Sequence, residues 1–132
     1  MQDLILNLIN KKNTFAIIGA SNNPDKYGFR IYKDLKQKGY KIFPVNNKSE
    51  SIQGDQSYKK IEDLPEMVDV LDFVVPPEAS LQIAKKAIKL GYKNFWFQPG
   101  SIDNEGLKEL KKNTGINILH DVCVMIESEK VV

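Results

Sequence analysis

His120 and Cys123 are the single histidine and single cysteine among 132 residues, three positions apart. A thiol beside an imidazole could make a nucleophile. Residues this close on a bending chain often point apart, however, and only Asp121 is at hand to orient the ring. The better reading is a small buried Cys and a loop His, and two such ligands make a poor metal site. Carboxylates gather at Glu62, Asp63, Glu66, Asp69 and Asp72, but nothing in their spacing marks an acid–base pair. No catalytic residue and no metal ligand is predicted.

The pattern points to anion binding instead. From Phe15 to Gly28 the chain reads F-A-I-I-G-A-S-N-N-P-D-K-Y-G. An apolar run breaks at Gly19-Ala20-Ser21, crosses a polar loop with Asn22 and Lys26, and opens a helical pattern at Tyr27-Gly28. A helix start offers unpaired N–H groups and partial positive charge to a phosphate, although a plain βα connection would look the same. The G-x-G-x-x-G dinucleotide fingerprint is absent, because Gly19 and Gly28 stand nine residues apart.

Other predicted strand ends are equally polar or small. The second closes on Asn46-Asn47-Lys48, where NAD binders usually place an acid for the ribose hydroxyls. Lys48 there disfavours NAD and suits a phosphorylated ribose, as in NADP or coenzyme A, unless it is simply an exposed loop lysine. The third ends at Val75-Pro76-Pro77, a rigid corner that could wall an adenine or a thin aliphatic arm. The fourth ends at Gln98-Pro99-Gly100, where the Gln98 amide is the ligand candidate. Phe95 and Phe97 should share one face of that strand and Trp96 the other, all three as core.

The elements that position these ends follow from periodicity. Leu4, Ile5, Leu8 and Ile9 predict an amphipathic helix over 3–11 with Asp3 as its cap. Strands are predicted at 14–19, 40–45, 68–75, 94–98 and 116–119, with helices after the first, third and fourth. Gln53-Gly54-Asp55 reads as a turn, and Ile61–Pro65 as a short capped element. Pro77 suits the first turn of the third helix, Ser101 is the expected cap of the fourth, and Val122–Glu127 closes the domain. This alternation predicts an α/β fold: a doubly wound, parallel, five-stranded sheet in three layers. The expected strand order, counted along the chain, is 3-2-1-4-5, with a crevice at the carboxyl ends of strands one and four. The length suits a single domain: residues 1–13 a helix packed on it, 14–127 the domain, 128–132 a frayed tail.

Composition narrows the partners. Apolar residues make up 42%, charged residues 27%, and the formal charge is +2. Scattered lysines and so small a charge argue against nucleic acid. No run reaches the ~20 apolar residues of a membrane span. One cysteine allows no internal disulfide, which suits a reducing cytoplasm. The aromatic residues and first helix are either core or a homodimer face.

Taken together, five blocks resemble the CoA-binding domain family, small Rossmann-like proteins similar to the amino-terminal domain of the succinyl-CoA synthetase alpha subunit. They are G-A-S-N-N-P-D-K-Y-G (19–28), Y-K-I-F-P-V-N-N-K (40–48), V-D-V-L-D-F-V-V-P (68–76), F-W-F-Q-P-G (95–100) and D-V-C-V-M-I-E (121–127). The resemblance implies non-catalytic binding of coenzyme A or an acyl-CoA. It places the loop of Gly19, Ala20, Ser21, Asn22, Lys26, Tyr27 and Gly28 beside the phosphates. Lys48 would meet the phosphorylated end, with Asn46 also in the cofactor-binding set, Val75, Pro76 and Pro77 the nucleotide and pantetheine, and Gln98 and Pro99 the pantetheine arm. Cys123 matches a family cysteine, but in an altered turn. His120 does not match the synthetase's phosphorylated histidine, which lies in a further domain, so ligase activity is not implied. The alternatives are an NADP-dependent oxidoreductase and a redox-regulatory module using Cys123.

Overall fold

The computed structural model describes residues 1–131; Val132, part of the expected frayed tail, lies outside the described residues. Five parallel strands form the central sheet: β1 (Thr14–Ile18), β2 (Lys41–Val45), β5 (Val70–Phe73), β6 (Asn94–Phe97) and β7 (Asn117–His120). Side chains divide along them with the period of two that a pleated strand imposes. Phe15, Ile17, Val70, Trp96 and Leu119 face one way, onto α1 (Gln2–Leu8), α2 (Tyr27–Gln37) and α5 (Val124–Glu129). Ala16, Ile18, Leu71, Phe73, Phe95 and Phe97 face the other way, onto α3 (Pro77–Lys89) and α4 (Asn104–Leu110). The three layers and the split of the Phe95-Trp96-Phe97 run are as expected. All three aromatics are core, with Phe73 stacked on Phe97 at 4.6 Å.

The strand order corrects the sequence expectation. It is β2-β1-β5-β6-β7, so counted along the chain the third sheet strand lies beside the first, not outside the second. Phe15 pairs with Ile42 on one side and with Val70 on the other. Two physical reasons favour this order. Pro44 lies within β2 and has no N–H for a further ladder, which suits an edge strand. All four residues of β5 are buried, as a central parallel strand requires. The crevice therefore lies at the carboxyl ends of β1 and β5 rather than of strands one and four.

Local differences have local causes. α1 stops at Leu8, because the Asn13 amide donates to the carbonyls of Asn7 and Leu8 at 2.9 and 3.2 Å. Asp3 lies inside that helix and Met1 precedes it without a side-chain cap. Asp103, not Ser101, caps α4, its carboxylate accepting from the Gly106 N–H at 2.7 Å. The Gln53-Gly54 turn joins a small antiparallel ribbon, β3 (Ser51–Ile52) and β4 (Asp55–Gln56). Its two turn residues have φ of 50° and 87°, matching the right-handed twist of a hairpin. Ile61–Asp63 is a single 3-10 turn.

The last helix continues through Glu129, with Ser128 buried. Lys38 pins it. Its ammonium donates to Met125 O at 2.9 Å and Ser128 Oγ at 2.8 Å, and lies 3.1 Å from Glu129. Asp34 Oδ2 is 2.7 Å away, close enough for ion pairing but off line for a hydrogen bond. With only 8% of this side chain exposed, Lys38→Met is expected to lower stability by about 2 kcal/mol. Urea unfolding would show it, with faster hydrogen exchange in α5; an unchanged midpoint would contradict the pin.

Candidate functional site

A cavity of about 720 Å³ opens at the carboxyl ends of β1, β2 and β5, within the usual size range of small-molecule sites. Its floor is apolar: Ile18, Val45, Val74, Val75 and Pro76. Gly19, Ser21 and Lys26 form one rim, and Lys26 is the residue from which α2 starts, with no side-chain cap. The first-turn N–H groups of α2 therefore begin at this edge. Asn46, Asn47, Lys48 and Ser49 form a second rim, Lys59 to Glu62 a third. One face of α3 closes the cavity through Ala79, Gln82, Ile83 and Lys86, a spacing of three and four that aligns residues along a helix.

The electrostatics are one-sided. Five lysines and one glutamate line the cavity. Among the described residues, Lys26, Lys48, Lys59 and Lys60 have no carboxylate partner; Lys86 pairs with Glu62 at 3.0 Å. Such a wall suits a ligand with several phosphates and an apolar or aromatic body.

Seven sequence-predicted residues converge here: Gly19, Ser21, Lys26, Asn46, Lys48, Val75 and Pro76. Asn46 serves mainly as a brace. Its amide donates to Ala20 O at 2.8 Å, and its oxygen accepts from the N–H groups of Lys48 and Ser49. It thereby fixes the turn that carries Lys48 against the glycine loop.

The other seven do not line this cavity, and for several the structure assigns different work. Ala20 is fully buried. The Asn22 amide donates to Ser51 O at 2.8 Å and accepts from Gln53 N at 2.7 Å, binding the loop to the ribbon. That ribbon is in turn anchored to α2, through Tyr32 Oη and Lys36 Nζ donating to Asp55 at 2.6 and 2.7 Å. Gly28 packs against the Gly19 carbonyl. Tyr27 Oη shares a hydrogen bond with Cys123 Sγ at 2.6 Å. Pro77 is the first residue of α3, as expected for its fixed φ. Pro99 is exposed beyond β6.

Gln98 is turned inward. Its side chain is buried and both polar atoms have partners: Nε2 donates to Asp72 Oδ1 at 2.6 Å, and Oε1 accepts from Val124 N at 3.1 Å. It ties β5 to the start of α5. His120 and Cys123 have separate partners. His120 Nδ1 bonds Asp121 Oδ2 at 2.8 Å, and half-buried Cys123 faces Tyr27. Among the described residues no cluster of three metal-ligating side chains occurs. No described helix is long and apolar enough to cross a membrane.

Sequence reasoning missed Lys59, Lys60 and Lys86. The dibasic pair was readable as charge, and Lys86 as the fourth position of the Ala79-Gln82-Ile83 face. Nothing local said that these segments meet at one cavity.

Asp72 is wholly buried, with Oδ2 unpartnered. Burial pushes its carboxyl up to about 7 from the ordinary 3.8, only partly offset by the Gln98 hydrogen bond. Between these two values the folded chain keeps a proton that the unfolded chain has released. Stability therefore falls as pH rises through that window, and the loss is complete above about 7. Asp72→Asn keeps an acceptor for Gln98 and removes the titration. It is expected to gain on the order of 1–2 kcal/mol at pH 8 and to flatten the pH profile. Urea midpoints at pH 5 and pH 8 check this; no gain at the higher pH would refute it.

Comparison with known proteins agrees with this geometry. Residues 13–129 match the family described as CoA binding domain. The alpha subunit of an ADP-forming acetate–CoA ligase II from Pyrococcus furiosus is 32% identical over 121 residues, spanning 84% of this chain. An ADP-forming acetate–CoA ligase from Methanocaldococcus jannaschii is 31% identical over 132 residues, spanning 95% of this chain. The match covers only 26% and 19% of the length of these two relatives. Among solved structures, a conserved hypothetical protein from Pyrococcus furiosus superposes with a TM-score of 0.82 at 43% identity, covering 87% of this chain and 98% of that one. A hypothetical protein from Pyrococcus horikoshii OT3 superposes with a TM-score of 0.89 at 30% identity, covering 98% and 91% respectively. A family match across nearly the whole fold leads to one conclusion: this chain belongs to the CoA-binding domain family, related to the acetate–CoA ligase subunits.

Proposed function

We propose that this chain binds coenzyme A or an acyl-CoA in the cavity at the β1–β5 switch point and breaks no bond there. The observation that carries the reading is the set of four lysines without carboxylate partners among the described residues, gathered from three segments around an apolar floor. In this reading the backbone of the Gly19–Ser21 turn and the Ser21 hydroxyl hold the pyrophosphate at the start of α2. Lys26 balances its charge. Lys48, joined by Lys59 and Lys60, takes the ribose phosphate. Val75 and Pro76 give the adenine or the start of the pantetheine arm an apolar wall.

Binding without catalysis is supported by what lines the cavity. Its titratable groups are five lysines and Glu62, and the Glu62 carboxyl is held below its usual range by its hydrogen bond to Lys86. That is a set for neutralising charge.

Calorimetric titration of the purified chain with CoA, dephospho-CoA and NADPH tests the proposal. CoA is expected to bind best, and NADPH weakly and in competition with it. Tight NADPH binding that CoA does not displace would overturn the reading. Release of CoA from the denatured protein, seen by mass spectrometry, would support it independently.

A further inference from the structure

Glu62 is the one acid on the cavity wall among the described residues. It follows Lys59-Lys60 in the 3-10 turn, and its Oε2 reaches Lys86 on α3 at 3.0 Å. The pair thus joins two facing walls of the cavity. Its side chains are 30% and 56% exposed, so as a strut it contributes little to the fold. The same charges matter more to an entering anion, because the carboxylate occupies the ammonium that a phosphate would use and adds repulsion of its own.

We infer that Glu62 is a specificity-determining residue: it occupies Lys86 in the free protein and limits how strongly the lysine rim holds a ligand's ribose phosphate. This rests on the proposed CoA reading and deepens it. Lys86 exchanges its carboxylate partner for the phosphate when the ligand enters, while Lys59 and Lys60 need no exchange. The carboxylate thereby reduces the affinity that the extra phosphate adds, and leaves a ligand without that phosphate almost unaffected.

The sign of the Glu62→Gln effect separates this role from a structural one. Freed of its partner, Lys86 should bind CoA about three- to five-fold more tightly, the range expected for one exposed ion pair. Dephospho-CoA affinity should hardly change. A strut, by contrast, would weaken both ligands on removal. The gain should shrink in high salt, disappear when Lys86→Met is added, and be absent in Glu62→Asp. Lys86→Met alone should weaken CoA more than dephospho-CoA. Titrations of these variants with both ligands, with melting curves to confirm folding, make the test. Unchanged or weaker CoA binding by folded Glu62→Gln overturns the inference, as does equal weakening of both ligands by Lys86→Met. Failure of the wild-type chain to bind CoA would overturn the CoA reading itself.

Discussion

Gly28→Ala is expected to destabilise the protein by about 3 kcal/mol or more, at the severe end of overpacking changes. Alanine is normally the better residue within a helix. Here an added Cβ would be driven into the carbonyl oxygen of Gly19 and come within 2.9 Å of its carbonyl carbon. Both are backbone atoms that cannot swing aside. Gly19 cannot retreat either, because its φ is +104° and its own Cα faces Val74 O, which a Cβ there would meet at 2.6 Å. Relief requires moving α2 away from the end of β1, which opens the Gly19–Ser21 turn. Thermal or urea unfolding of Gly28→Ala measures the effect, and exposed Gly54→Ala, with nothing within 4 Å of an added Cβ, is the control for turn strain alone. A Gly28→Ala protein as stable as wild type would show that this contact yields easily.

Lys48→Ala is expected to cost about ten- to a hundredfold in CoA affinity on the proposed reading, the range for a lost hydrogen bond between charged groups. Dephospho-CoA affinity should fall by much less. The cause lies in how Lys48 is presented. Its backbone N–H is held by Asn46 Oδ1 at 2.8 Å, and Asn46 is held to Ala20 at 2.8 Å. The turn is thus pre-set beside the glycine loop, while the ammonium has no carboxylate partner among the described residues. Titration with the two ligands checks the difference. Equal and small losses for both would remove Lys48 from the phosphate site.

These two sites show how far the sequence could be read. The break at Gly19, the start of a helix near Gly28 and the basic end of β2 are local signals, and the structure contains each of them. The nine-residue spacing from Gly19 to Gly28 argued against the short glycine fingerprint. The fold nevertheless brings the two glycines into contact, so they provide the tight turn and close helix–strand approach of that motif across a longer loop. Contact between residues separated by a loop is not written in their spacing.

Polar side chains were the least legible. Asn22 and Gln98 stand at strand ends, where ligands bind in such sheets, and their amides could serve a ligand or the protein equally well. Burial decides between these. Gln98 lies over the unpartnered environment of Asp72 and the first N–H of α5, and a buried amide in that position must satisfy its neighbours. Asn22 meets a ribbon that exists only because Gln53-Gly54 turns the chain back.

The sequence alone determined the class of the fold, the five parallel strands, the helix starts at the glycine loop and at Pro77, and the basic end of β2. Each rests on periodicity, a chain break or a charge confined to a few neighbouring residues. Tertiary structure decided the strand order and the placement of the crevice between β1 and β5. It also gathered Lys59, Lys60 and Lys86 beside Lys48. The physical reason is that a strand buried on both faces carries the same apolar run whatever its neighbours. Only competition among whole-sheet pairings, biased here by Pro44 at the edge, selects which strands lie side by side and which distant lysines therefore share one cavity.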